Sequence, residues 1–253
     1  MRYRISLVIL MILLLTACGN KRTLTVGVEE QFKPFAYIEH SRAHGFDIDL
    51  WKAVAKEAGF KYKLKPMGQG EMLKAIEKKK IDVALAGITI KADRKKLFEF
   101  STPYYDTGLN MLTRTNNKDI HAVKDLKDKI IATKIGSSGY DYAKNLKDIK
   151  EIKAFPDINS AYKALLNNQV DVVIFDKANI ENYSHTDGSG KVKMVGNTLT
   201  NEQYGIVVKK GNRNAGRINN ALRELADNGE YEKIYVKWFS EKPSSLPGKK
   251  SRM

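Results

Sequence analysis

The sequence has little of what covalent or metal chemistry needs. Its 253 residues contain one cysteine, Cys18, and four histidines, His40, His44, His121 and His185. A lone cysteine excludes a disulfide framework and a cysteine-rich metal cluster. The histidines stand in polar, loop-like stretches with no H-E-x-x-H pairing, so neither a metal nor a cofactor is expected. His40 and His44 have a workable spacing, but Gly45 follows and nothing there reads as helix. Gly136-Ser137-Ser138-Gly139 runs into Tyr140, where a nucleophile elbow would need glycine. Gly188-Ser189-Gly190-Lys191 runs into Val192, where a phosphate-binding loop would need Ser or Thr. No two carboxylates stand out as an acid and base pair. The expectation is a protein without catalytic residues, and not an enzyme.

Acidic charge is also short: 29 Asp and Glu face 44 Lys and Arg, a net charge of +15. The lysines are scattered, as at Lys78–Lys80, Lys95–Lys96 and Lys209–Lys210, and carry no RNA-binding or helix-turn-helix signature. They read as solvated faces, so nucleic acid is not an expected partner, while an anionic cell envelope suits them. Long apolar runs are nearly absent. The run from Ile5 to Leu15 follows Arg2 and Arg4 and is too short to span a bilayer. It leads into Leu15-Thr16-Ala17-Cys18, small residues ahead of a cysteine, which is the bacterial lipobox pattern. Residues 1–17 are therefore expected to be a lipoprotein signal peptide. Cys18 is the expected lipidated N-terminus, palmitate included, anchoring the protein to the outer face of the cell membrane. No second apolar segment of about 20 residues follows, so neither a permease nor a spanning receptor is expected.

What the chain has is alternation. Leu24–Glu29 reads as a strand, and Ile48, Trp51, Val54, Ala55 and Ala58 mark a helix face that Gly59 ends. Lys61–Met67 is strand-like, Met72, Leu73 and Ile76 lie on a short helix, and a strand starts at Ile81. The rhythm resumes with strand Lys129–Ile135, a helix from Tyr140, strand Ile152–Phe155, helix Ile158–Asn167 and strand Val170–Phe175. Alternation of this kind predicts an α/β fold with mainly parallel sheets. The segments "IEKKKIDVALAGIT" and "LLNNQVDVVIFDKAN" echo each other, predicting one structural slot used once in each of two lobes. Helix returns at Ile218, Leu222 and Leu225, breaks at Gly229, and resumes through Ile234, Trp238 and Phe239. Residues 241–253 are expected to be a disordered tail.

Ligands of α/β proteins bind beyond the carboxyl ends of strands. Four such ends carry polar chemistry here: Glu29 with Phe32, then Gly87, Thr89 and Arg94, then Lys134 with the Gly136–Gly139 loop, and finally Asp176. A free amino acid needs a forked cation and N–H donors for its carboxylate, and an anion with acceptors for its ammonium. Arg94 suits the first need and Asp176 the second. Singly, each has a plainer reading: Arg94 a surface charge, Asp176, Ser137 and Ser138 helix caps.

The chain resembles the extracytoplasmic amino-acid-binding proteins of ABC importers. The carriers are "VGVEEQFKPFAY", "GFDIDLWKAVAKEAG", "DVALAGITIKADRKK", "FSTPYY", "DYAK", "NSAY", "QYGIVVKKG" and "EYEKIYVKWF", spread from Leu24 to about Phe239. Within that family it is most similar to the glutamine-binding branch. The resemblance implies a type II clamshell, two α/β lobes joined by two hinge strands that close on the ligand. Lobe one would span about 22–103 plus 205–240, lobe two about 109–199, with hinges near 104–108 and 200–204. It further implies that Arg94, with the backbone of Thr89 and Ser138, holds the α-carboxylate. Asp176, the Gly87 carbonyl and the Thr89 hydroxyl would hold the ammonium, and Phe32 would cover the aliphatic stem. Glu29 and Lys134 would face the side-chain head group, with Gln69, Ile88, Ser137 and Phe175 completing the site. The glutamine-binding branch has Asp at the place of Glu29, Phe at Gln69, Gly at Ser138 and His at Phe175. Lys134 is retained and disfavours a basic ligand. The implied partners are a free amino acid, glutamine before glutamate or asparagine and these before basic ones, and permease subunits. The protein itself would be a monomer.

Overall fold

The computed structural model describes residues 22–249. The proposed signal peptide and the lipidation site at Cys18 lie outside the described residues. Among the described residues, no helix is long and apolar enough to cross a membrane.

Two five-stranded sheets dominate. The first has the strand order Lys61–Pro66, Thr23–Val28, Val83–Leu85, Val207–Lys209, Phe98–Phe100. The second has the order Glu151–Phe155, Ile130–Lys134, Val172–Asp176, Leu109–Arg114, Val192–Val195. In each sheet the first three strands are mutually parallel and the next contacts are antiparallel. The sheets are thus mixed rather than mainly parallel. The antiparallel strands Leu109–Arg114 and Val207–Lys209 each follow a strand that links the two sheets, with no crossover helix in between to make them parallel. The sequence echo resolves into the centres of the sheets: Val83–Leu85 and Val172–Asp176 occupy the same middle position.

The helix Phe46–Glu57 buries Phe46, Ile48, Leu50, Trp51, Val54 and Ala55 on one face, the spacing of an amphipathic helix. It packs with Asn214–Asp227 and Glu230–Phe239 to close one side of lobe one. Gly45 starts it at φ 126°, where a Cβ would stand 2.0 Å from the Phe35 carbonyl oxygen. Two linking strands, Tyr105–Thr107 and Glu202–Tyr204, pair antiparallel with Thr107 opposite Glu202. Tyr105 and Tyr204 stack at 5.6 Å, and Phe35, Tyr235 and Phe239 crowd the same ring of Tyr105. That aromatic cluster roots both linking strands in lobe one.

Residues 241–249, expected to be disordered, are instead placed against the body. The Ser244 and Ser245 hydroxyls donate to Asp106 at 3.1 and 2.5 Å, and Lys249 pairs with Asp227 at 2.6 Å. Leu246 packs on the core. Polar composition suggested disorder, but these hydroxyls and one leucine find partners that only the fold supplies.

Candidate functional site

The carboxyl ends of the central strands of both sheets face each other across one cleft. From lobe one, Thr23–Val28 delivers Glu29, and Val83–Leu85 delivers Ala86, Gly87 and Thr89. Gly87 has φ +53°, and a Cβ there would lie 2.3 Å from the Phe32 ring. Only glycine lets the backbone pass beneath that ring. Phe32 stacks on Phe35 at 5.1 Å and meets Phe175 of the other lobe edge-on at 5.9 Å. Arg94, on the short helix Ala92–Leu97, is 8 % exposed and donates to the carbonyls of Thr89 at 3.0 Å and Gly136 at 2.9 Å. Burial pulls its pKa below the usual arginine value, against the pull of nearby carboxylates that include Asp176. It is no surface charge.

From lobe two, Ile130–Lys134 delivers Lys134, and Val172–Asp176 ends in Phe175 and Asp176. Asp176 stands at the start of helix Lys177–His185 but makes no capping bond, and its Oδ1 is buried without a hydrogen-bond partner. Burial pushes its carboxyl up to about 7, opposed by the neighbouring Tyr204 hydroxyl and by Lys134 and Arg94. A buried, unpaired carboxylate oxygen in a cleft is costly unless a cation meets it. Ser137 behaves differently. Its hydroxyl accepts from the Tyr140 N–H at 3.1 Å and donates to the Lys134 carbonyl at 2.8 Å, so this side chain caps its helix although it lines the cleft. Ser138 instead reaches across, its Oγ 3.0 Å from Thr89 Oγ1.

Three more contacts join the lobes. Lys134 Nζ sits 2.7 Å from Glu29 Oε2, and both side chains are about nine-tenths buried. Glu29 also accepts from the Gln69 N–H at 3.1 Å, at the first turn of helix Gln69–Glu77. Lys91 pairs with Asp141 at the rim at 2.5 Å, and Asn159 donates to Gln31 at 3.2 Å. Of the residues expected in the site, Ile88 is the one whose side chain goes elsewhere. It is fully buried in a core cluster with Met67, Met72 and Val207. Sequence reasoning also missed Asp47, which accepts from the Gly87 N–H at 2.8 Å and the Tyr104 hydroxyl at 2.9 Å. Burial pushes Asp47 up to about 7, against both hydrogen bonds. The motif Gly45-Phe46-Asp47 contained it, yet nothing in the sequence joins Asp47 to a strand end forty residues on. Among the described residues, no group of three or more His, Cys, Asp or Glu could hold a metal ion.

The cleft thus opposes a buried guanidinium and a buried carboxylate with one oxygen left without a hydrogen-bond partner, with an apolar wall and a second, neutralised charge pair beside them. Such a site presents the two opposite charges that a small zwitterion would meet. The fold is the type II periplasmic-binding-protein architecture of two α/β lobes. The arginine-binding extracellular protein ArtP of Bacillus subtilis is 30% identical over 237 residues, covering 89% of this chain and 92% of ArtP. The ABC transporter glutamine-binding protein GlnH of the same species is 29% identical over 238 residues, covering 91% and 86%. The structure of an ancestral arginine-binding protein bound to glutamine superposes with a TM-score of 0.82 at 39% identity, covering 87% of this chain and 98% of that one. These relatives are solute-binding proteins rather than enzymes. The sequence profile of the bacterial extracellular solute-binding proteins, family 3, matches residues 24–241, and the chain belongs to that family.

Proposed function

We propose that this protein captures a free polar amino acid outside the cell membrane, glutamine first, and delivers it to the permease of an ABC importer. Arg94 receives the α-carboxylate, with the backbone of Thr89 and Ser138. Asp176, the Gly87 carbonyl and the Thr89 hydroxyl receive the ammonium, and Phe32 covers the stem. The lobes act as a monomeric clamshell hinged at residues 104–108 and 200–204. Ligand touches both lobes, binds the closed state better, and shifts the population toward it. A lipid on Cys18 tethers the protein to the outer face of the membrane.

The observation that carries the choice of ligand is the buried Glu29–Lys134 pair. Its charges cancel, so a neutral amide that accepts from Lys134 and donates to Glu29 disturbs it least. An arginine side chain would need Lys134 displaced, because two like charges in a desolvated cleft repel. Arginine, ranked last from the sequence, moves up to the second reading, since Glu29 could pair with a guanidinium and ArtP is named for arginine. The test is a thermal-shift and calorimetric screen of the ligand-stripped protein against the twenty amino acids. Glutamine binding at micromolar strength or tighter, about −8 kcal/mol, supports the reading. Arginine binding with no response to glutamine overturns the ligand assignment.

A further inference from the structure

The linking strand Glu202–Tyr204 carries a carboxylate that reaches the cleft from outside the strand ends. Glu202 Oε2 accepts from the Thr89 hydroxyl at 3.2 Å, and Oε1 accepts from the Thr200 hydroxyl at 3.1 Å. Thr200 is fixed in turn, its oxygen accepting from the Leu109 N–H at 3.0 Å. The backbone sets this register: Thr89 bridges Tyr204 antiparallel, the Ile90 N–H donates to Gln203, and the Gly205 N–H donates to Ile88. A carboxylate only accepts, whereas a hydroxyl has one proton and two lone pairs. With its proton committed to Glu202, Thr89 can turn only lone pairs toward the cleft. Ser138, 3.0 Å away, must then be the donor of that pair. An ammonium group only donates, so it needs Thr89 in this orientation and is met by a proton in the other.

We propose that Glu202 is a positioning residue of the ammonium subsite, holding the Thr89 hydroxyl proton out of the cleft so that Thr89 serves as an acceptor. Glu202 acts through Thr89 and needs no contact with the ligand. The proposal rests on the amino-acid reading given above, and its test separates the two. Glutamine and arginine are titrated calorimetrically into wild type, Glu202→Ala, Glu202→Gln, Thr89→Val and the Thr89→Val/Glu202→Ala double variant, with melting curves as the control for folding. For the probe that wild type binds more tightly, Glu202→Ala weakens binding about tenfold, the loss of one hydrogen-bonded orientation. Glu202→Gln, whose carbonyl oxygen still accepts, keeps most of the affinity. In the Thr89→Val background, Glu202→Ala costs nothing further. Where Glu202→Ala melts early, Glu202→Ser, too short to reach Thr89, replaces it. Wild-type affinity in Glu202→Ala, equal weakness in Glu202→Gln, or an undiminished loss in the Thr89→Val background each overturns the assignment. Where wild type binds neither probe, the tightest binder among the twenty amino acids replaces them, and binding of none of the twenty overturns the amino-acid reading itself, and the role of Glu202 with it.

Discussion

Asp176 should trade stability for binding, and Asp176→Asn exposes both sides of the trade. Its carboxyl titrates near 7 in the folded protein against 3.8 as its ordinary value, because burial penalises the charged form. The folded state therefore holds this proton more tightly than the unfolded state does. Stability conferred by the neutral carboxyl is complete below pH 3.8 and is lost as pH rises through about 7. At pH 8 the shift is equivalent to a penalty of about 4 kcal/mol, an upper bound. Asparagine cannot ionise and escapes the penalty, but its amide is also buried, so a net gain of about 1–3 kcal/mol is expected at pH 8. Between pH 8 and pH 5 that gain should shrink by about 2–3 kcal/mol, as wild type recovers its proton. Asp47 titrates in the same range but is present in both proteins, so it cancels. With saturating glutamine the ranking reverses, because losing the ammonium's partner costs about 2–5 kcal/mol of binding. Urea melts at pH 5 and pH 8, with and without glutamine, read all of this. A variant with the wild-type pH profile, or with wild-type affinity, would refute the reasoning.

Other expectations follow from the same geometry. Lys134→Met leaves Glu29 buried without its cation, so arginine should gain on glutamine by about tenfold or more in competition titrations; an unchanged preference would remove the pair from ligand choice. Gly87→Ala forces a side chain onto φ +53° and into the Phe32 ring, and should abolish binding while melting well below wild type; normal binding would contradict the close approach. Glutamine affinity should fall as pH drops below about 7, because a protonated Asp176 offers the ammonium no charge; a flat profile from pH 5 to 8 would contradict the ion pair. Lys91→Ala breaks only a rim contact with Asp141 and should change affinity by less than about 1 kcal/mol.

The strand ends were legible because their chemistry is local. Val83–Leu85 and Val172–Asp176 announce themselves by [IV]-D-V runs, and each ends at residues that line the cleft. Asp176 could also have been a cap, but it makes no capping bond and its Oδ1 has no hydrogen-bond partner. Ser137 shows the opposite outcome, spending its hydroxyl on the helix. The Glu29–Lys134 distance was out of reach, since it joins residues 105 apart in sequence and two lobes in space. Asp47 and Glu202 were invisible for a related reason. They act on Gly87 and Thr89 through contacts that helix or strand periodicity does not encode. Ile88 lies between two cleft residues in sequence, but its side chain is buried in the core cluster behind the strand end.

The most direct test is a calorimetric titration of glutamine into the ligand-stripped protein and into Arg94→Ala, side by side. Arg94 is buried, donates to the Thr89 carbonyl of its own lobe and reaches the Gly136 carbonyl across the cleft, and it is the only guanidinium among the described residues lining the cleft. One-to-one binding by wild type, weakened by about 2–5 kcal/mol in Arg94→Ala with the melting curve otherwise cooperative, is the result expected. Equal affinity in the two proteins would place the ligand elsewhere and contradict the site.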